Sequence, residues 1–286
     1  MSLPTISAPA SSRAKPPDVT YEITISPTAS SRLLALTNRF APQLAFVALI
    51  LFWEIGCCAF KVPVFLLPAP SMIIAGAREQ SLAIWGVNLW ATVRVALMGY
   101  VLAICISIPL AIALASSKLL SRTVYPMIVI VQATPIVAVA PIIVVTLGAS
   151  DLPRVVITFM ITFFPIVVTT TTGLLAVPEE LIELSRSLRA DRAREMLHIR
   201  LPYALPYIFS ALKISTTLSV VGAVVAEFVA AEHGLGYFIQ FATSFFKINQ
   251  SFAALILLLG VSLGFFRLIG LIQRVFAPWS LPKSER

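Results

Sequence analysis

The chain is short of charge, of histidine and of cysteine. Only 12% of its 286 residues are charged, 58% are hydrophobic, and the mean hydropathy is +0.94. A soluble domain carries about 25% charged and about 45–50% apolar residues. A globule of this composition would lack the polar surface to cover itself, which excludes an ordinary cytosolic enzyme. A disordered chain is excluded too, because it needs low hydrophobicity and high charge. The three cysteines, Cys57, Cys58 and Cys105, are odd in number and lie in apolar stretches, so they do not read as a disulfide framework. The two histidines, His198 and His233, are far apart, and no H-E-x-x-H zinc motif occurs. Neither does a G-x-x-x-x-G-K-[ST] phosphate loop, so the chain has no ATPase site of its own. No catalytic and no metal-binding residues are expected. Residues 1–38 lack the continuous apolar core of a cleavable signal peptide. What remains is a polytopic membrane protein, all α.

About 20 apolar residues cross a hydrocarbon core of about 30 Å. Six stretches qualify: residues 41–60, 95–115, 123–147, 155–176, 207–230 and 252–272. The first holds Glu54, the fifth Lys213 and Glu227, and the sixth Arg267; the others are uncharged. An even number of spans puts both termini on one side. Of the 21 basic residues, fifteen fall on that side: Arg13, Lys15, Arg32, Arg39, Lys118, Arg122, Arg186, Arg189, Arg192, Arg194, Arg200, Arg267, Arg274, Lys283 and Arg286. Four fall opposite (Lys61, Arg78, Arg154, Lys247), and Arg94 and Lys213 sit at span edges. The positive-inside rule therefore predicts that both termini and the loop after span four are cytoplasmic. It also explains the net charge of +8 without nucleic acid as a partner. Residues 1–38, rich in Ser, Thr, Pro and Ala, read as a flexible cytoplasmic tail, 39–280 as the membrane domain, and 281–286 as a second tail.

The longest hydrophilic excursion, residues 178–202, is predicted to be cytoplasmic. Pro178 suits the first turn of a helix, and Glu179 and Glu180 suit its positive end. Leu181, Leu184 and Leu188 recur at helical spacing. Asp191 can cap a second short helix carrying Arg192, Arg194 and Glu195, which is expected to end before Pro202 and Pro206. Five arginines are balanced by Glu179, Glu180, Glu183, Asp191 and Glu195. A near-neutral knob with an apolar stripe favours a protein groove over the bilayer surface. The plain alternative is a solvated loop folded on its own membrane face.

These residues resemble a known family. Glu183-Leu184-Ser185, then Arg189, then Ile199-Arg200-Leu201-Pro202 is similar to the EAA loop of ABC importer permeases, E-A-A, three residues, G, nine residues, I-x-L-P. Leu184 and Ser185 stand for the alanines and Arg189 for the glycine. Glycine there would serve a left-handed turn between the two helices. Leu67-Pro68-Ala69-Pro70-Ser71 resembles the L-P-S-P-S element of the nitrate/sulfonate/taurine-type permeases. Gln132-Ala133-Thr134-Pro135, followed by Val139-Ala140-Pro141 and Gly148, resembles their third-span signature. The stretch from Glu227 through Gly234, Leu235 and Gly236 to Tyr237 resembles A-E-x-x-x-A-x-x-G-L-G-Y. The likeness covers roughly residues 51–279.

The resemblance implies a type I ABC importer permease (MetI-like) fold of about six spans. It implies a cytoplasmic ABC ATPase carrying ATP and Mg, a periplasmic substrate-binding protein and a second permease copy, a homodimer in this branch. This chain itself would bind no cofactor. The coupling residues it implies are Glu183, Leu184, Ser185, Leu188, Arg189, Ala190, Asp191, Ile199, Leu201 and Pro202. Gln132, Thr134, Pro135, Glu227, Gly234 and Gly236 are the implied pathway or gate candidates. Small anions such as nitrate, sulfonates or taurine are the expected cargo, with aromatic or pyrimidine-type vitamin precursors as the alternative. A membrane enzyme is disfavoured because the two histidines fall on opposite sides. A stand-alone secondary transporter usually shows more spans, inverted repeats and more midplane ionisable groups.

Isolated polar residues inside the spans have structural readings beside the functional ones. Glu54 and Glu227 must face protein, water or an interface. Arg94 is expected to snorkel outward. The hydroxyls of Thr169 to Thr172 can bond back to their own helix. Pro109, Pro126, Pro135, Pro141 and Pro165 can kink spans.

Overall fold

A computed structural model describes residues 29–148 and 150–281, with side chains from Phe40 on. No strand occurs among them. The helices are α1 (Ala29–Ala59), α2 (Pro70–Arg78), α3 (Leu82–Ser116), α4 (Lys118–Gln132), α5 (Ile136–Leu147) and α6 (Asp151–Leu175), then α7 (Glu179–Ser187), α8 (Arg192–Glu195), α9 (Leu201–Ala230), α10 (Leu235–Ser244) and α11 (Ile248–Phe276). α1 begins at Ala29, within the stretch expected as the first tail. Residues 1–28 and 282–286 of the two expected tails lie outside the described residues.

The chain divides after Phe52. The first unit carries most of the apolar stretch of α1, and its described side chains are all exposed. The second unit, from Trp53, is built on three long helices. α3 and α6 run parallel. Arg94 pairs with Asp151 at one end, and Ser107 Oγ donates to the Phe163 carbonyl at 3.1 Å midway. Ala111 and Leu174 share a buried cluster toward the other end. α9 runs antiparallel to both. Arg200 at its start donates to the Leu174 carbonyl at 3.1 Å. Farther along, Gly222 lies against Thr158. α11 packs on α9, and α10 and α2 pack on α11 at the end away from residues 178–202. The two ends are called below the loop end and the far end.

The three long helices meet where side chains are smallest. A Cβ on Gly99 of α3 would lie 2.6 Å from Thr158 Cβ of α6, and one on Gly222 of α9 would lie 2.9 Å from Thr158 Cα. Lipid tails are as apolar as a protein core, so close backbone approach and dispersion, not water exclusion, hold such helices together. The outer surface is correspondingly greasy: Val145 is 83% exposed and Val275 74%. α3, with 35 residues, is about 52 Å long and exceeds a hydrocarbon core of about 30 Å, so it tilts or projects.

Two expectations need correction. The uncharged stretch expected as a single span at 123–147 is two helices, α4 and α5, bent by 92° at residues 133–135. Pro135 has no N–H for the helix ladder and disfavours helical backbone at Thr134. Ala133 and Thr134 instead close tight turns onto Ile130 and Val131. The pair still crosses, because α3 and α6 run parallel and the chain must return between them. It is a broken sixth span beside five long helices of suitable length and hydropathy. The other correction is at Pro202. The second loop helix does not end before it but passes through a π turn, Met196–Arg200, into α9, making one element from Arg192 to Ala230. Pro109, Pro126, Pro141, Pro165 and Pro206 all lie inside helices.

Replacing Gly99 by leucine should lower the stability of the purified protein by about 1–3 kcal/mol, from overpacking against Thr158. A thermal melt in detergent no lower than that of the unaltered chain would contradict this packing.

Candidate functional site

Three features carry chemistry: the loop, the break in the fourth and fifth helices, and the start of α10.

At the loop, Glu179 and Glu180 occupy the first turn of α7, as expected from the dipole. α7 ends in a complete Schellman motif. The Ala190 N–H donates to the Ser185 carbonyl at 3.0 Å and the Arg189 N–H to the Arg186 carbonyl at 2.9 Å. Arg189 itself takes φ +56°, so the left-handed turn is kept without glycine. That conformation costs an L-residue about 1–2 kcal/mol. Asp191 then caps α8, accepting from the Arg194 N–H at 2.9 Å.

Glu195 ties the loop together. It is buried, and its Oε1 accepts from Arg200 Nε and Nη2, both at 2.8 Å. Its Oε2 lies 3.5 Å from Arg186 Nε of α7. Arg200 also holds the last carbonyl turn of α6. One carboxylate thus joins α7, α8 and the entry to α9. Ser185 is buried and bonds its own helix at Ile182 O, while Ile199, Leu201 and Pro202 are half-buried. Glu183, Leu184, Leu188, Arg189 and Asp191 are exposed and Ala190 half-buried. Leu184 is 57% and Leu188 75% exposed, and with Leu181, Ile199 and Tyr203 they border an open cleft of about 630 Å³.

At the break, Gln132, Thr134 and Pro135 are exposed. Glu227 lies elsewhere, on α9 near the far end, 1% exposed. α10 has no cap of its own, because its N-cap residue is Gly234. Its first N–H groups are satisfied from other helices. The Gly234 N–H donates to Asn88 Oδ1 at 2.9 Å and the Leu235 N–H to Thr92 Oγ1 at 2.8 Å. The Gly236 N–H donates to Glu227 Oε2 at 2.7 Å. Gly234 has φ +131°, and a Cβ there would fall 2.3 Å from the Glu227 carboxyl carbon. The G-L-G spacing is what lets an acid seat against a helix start.

Glu54 does the same for α2. Its Oε1 accepts from Ser71 Oγ at 2.7 Å and its Oε2 from the Ser71 N–H at 3.0 Å, just after Pro70, which has no N–H to satisfy. Arg94, expected to snorkel freely, pairs with Asp151, as does Arg154. Of the threonine run, Thr172 bonds back to Val168, whereas Thr170 and Thr171 are buried with hydroxyls that find no partner among the described residues. His198 and His233 stand at opposite ends of α9. Sequence reasoning did not single out Asn88, Thr92 or a tying role for Glu195. The available signal was faint: Asn88 and Thr92 are polar residues four apart in an apolar helix.

Residues 103–280 match the family model described as the binding-protein-dependent transport system inner membrane component. The chain belongs to that family of ABC importer permeases. The riboflavin transport system permease protein RibX of Chloroflexus aurantiacus is 35% identical over 81% of this chain and 87% of its own length. The formylaminopyrimidine transport permease protein ThiX of Halalkalibacterium halodurans is 32% identical over 83% and 95%. The nitrate import permease protein NrtB of Synechocystis sp. is 28% identical over 83% and 89%. Among solved structures, the inward-facing MetNI methionine ABC transporter matches with a TM-score of 0.57, 22% identity, and coverage of 66% of this chain and 94% of that one. At that identity the match speaks for the fold, which is the type I importer permease fold expected from the sequence. The permease is thus a multi-pass inner-membrane transport component.

Asn88→Leu in this permease should leave the Gly234 N–H buried and unpaired, a loss of about 1–3 kcal/mol. Amide exchange at Gly234 to Gly236 should rise; unchanged protection would refute the capping role. Arg189→Gly relieves about 1–2 kcal/mol of backbone strain but adds about 0.5–1 kcal/mol of unfolded-state entropy. The net expectation is slower exchange of the Ala190 amide, and faster exchange would show that arginine holds the turn by another contact.

Proposed function

We propose that this permease couples to a cytoplasmic ABC ATPase through residues 178–202 and lines its pathway together with a second copy of itself. The observation that carries the pathway is the break at residues 133–135. Non-helical backbone at membrane depth persists only where it is buried in protein or lines a water-filled cavity. Gln132, Thr134 and Pro135 are exposed in the single chain, so a partner surface or a wet passage must meet them. A twofold-related copy supplies both with one self-complementary contact. Glu227, Gly234 and Gly236 serve the gate by fixing α10 rather than by touching solute.

The coupling tip is the exposed edge of α7 with Glu183, Leu184 and Leu188, continued by Arg189, Ala190 and Asp191. Ser185, Ile199, Leu201 and Pro202 are its inner support. ATP and Mg belong to the partner, which hydrolyses the nucleotide. The charge asymmetry of the sequence supports a cytoplasmic loop and cytoplasmic termini. A periplasmic binding protein would deliver solute at the far end. For the cargo, the relatives above 30% identity carry riboflavin and formylaminopyrimidine in their names, and the nitrate relative is more distant. A small heteroaromatic vitamin or its precursor is therefore the favoured cargo class, ahead of an inorganic or sulfonate anion.

Leu184→Asp and Glu183→Lys should leave membrane insertion unchanged while lowering both ATPase co-purification and uptake by about tenfold or more. Full uptake by both variants would defeat the loop assignment. Uptake abolished by a proton uncoupler yet indifferent to ATP would point instead to a secondary transporter.

A further inference from the structure

Beside the coupling tip lies a second cleft of about 640 Å³, whose use the transport reading leaves open. Lys118, Arg186, Arg192 and Arg200 line it with a single acid, Glu195. The whole loop is near neutral, yet the fold sorts its charges. Glu179, Glu180 and Glu183 stand away from this cleft, and both Glu195 oxygens are already engaged by Arg200 and Arg186. Four cations and one acid leave a local charge of +3. Lys118 and Arg192 make no ion pair among the described residues.

The remaining walls are Ala115, Ala190, Met196 and the hydroxyl residues Ser116 and Ser117, with Ala190 bordering the leucine cleft as well. A smaller cleft adjoins it through Ala115, Ser117 and Lys118 and adds Arg122, Leu114 and Leu175. The combined lining is cationic at the bundle end and apolar toward its interior. Immediately beside Lys118, Leu119 is 73% exposed at the start of α4, whose outer face continues with the exposed Met127 and Ile130. That face needs acyl chains. A molecule with a phosphate at one end and hydrocarbon at the other satisfies cleft and face together.

We propose that this cleft binds the headgroup of an anionic phospholipid. Basic pockets between spans on the cytoplasmic side hold such headgroups through several cations at once. Arg186 and Leu184 are two residues apart on α7, about 200° around the helix, so the cleft faces away from the leucine tip. A bound lipid would brace α4 against the loop and meet the coupling face only at Ala190, which borders both clefts. The inference rests on the cytoplasmic placement of the loop end proposed above and stands whether or not the loop meets an ATPase.

The test is native mass spectrometry of the full chain in detergent, offered phosphatidylglycerol and phosphatidylcholine in equal amounts. The intact chain should retain phosphatidylglycerol about fivefold or more in excess. The double variant Lys118→Gln, Arg192→Gln should fall to parity, with circular dichroism confirming an unchanged helix content. Arg189→Gln, an exposed loop cation outside the cleft, should keep the preference. Equal retention of the two lipids by the unaltered chain would overturn the proposal, as would a preference that survives the double variant or is lost equally in Arg189→Gln. Displacement of the lipid by excess inorganic phosphate would overturn it as well, in favour of a soluble anion.

Discussion

A carboxylate from a long span, seated on the first N–H groups of a short helix, is the interaction on which the far end of this permease depends. In hydrocarbon no water can satisfy a free backbone donor, so every short helix in or near the membrane needs protein partners at its start. α2 and α10 have none of their own, with Ala69 and Gly234 as N-caps. Glu54 serves α2, and Glu227, with Asn88 and Thr92, serves α10. A negative group at the positive end of a helix is also favourable electrostatically. This accounts for two acids in otherwise apolar spans, where an unpartnered charge would be expensive. It also makes α10 a rigid extension of α3 and α9, so movement between those spans must carry or strain it.

The loop end follows a different plan. Its stiffness comes from a turn and a charge cluster rather than from capping across the bundle. The Schellman turn at Arg189 fixes the angle between α7 and α8, and Glu195 fixes α8 to α7 and to the root of α9 through two arginines. The π turn at Met196–Arg200 then feeds α8 into α9 with no flexible joint between them. A push on α7 therefore reaches a helix that runs to Glu227. The same continuous element carries the loop's anchor at one end and the α10 cap at the other.

How much of this could be read in the sequence varied with the range of the interaction. The spans, the loop and the Asp191 cap follow from local signals: hydropathy over about 20 residues, a leucine stripe, an Asp before a helical run. Pro135 stood among five prolines able to kink spans, but nothing local marked it as the one that breaks the run, since Pro42, Pro109, Pro126, Pro141, Pro165 and Pro206 lie inside helices. The capping of α10 was hidden for a better reason. Asn88 and Gly234 are 146 positions apart, and nothing local in either marks the other. The G-L-G-Y stretch stood out only as a resemblance until the geometry showed why two glycines must flank the acid's seat. Glu195 was visible only as one negative charge among five, because what distinguishes it is burial between arginines from two helices.

Among the described residues, two exposed surfaces stand out. One is the leucine edge of α7, exposed on a helix held too firmly to fold it away. The other is the polar corner at Gln132–Pro135, exposed where the fold crosses the membrane. They differ in kind. An apolar edge in the aqueous phase asks for a soluble protein groove, whereas exposed polar residues at a non-helical break in a span ask for another spanning chain or for water. The proposed assembly, with an ATPase at the loop end and a second copy alongside, would meet each with the kind of surface it requires, so the proposal draws on what this fold leaves exposed rather than on what it buries.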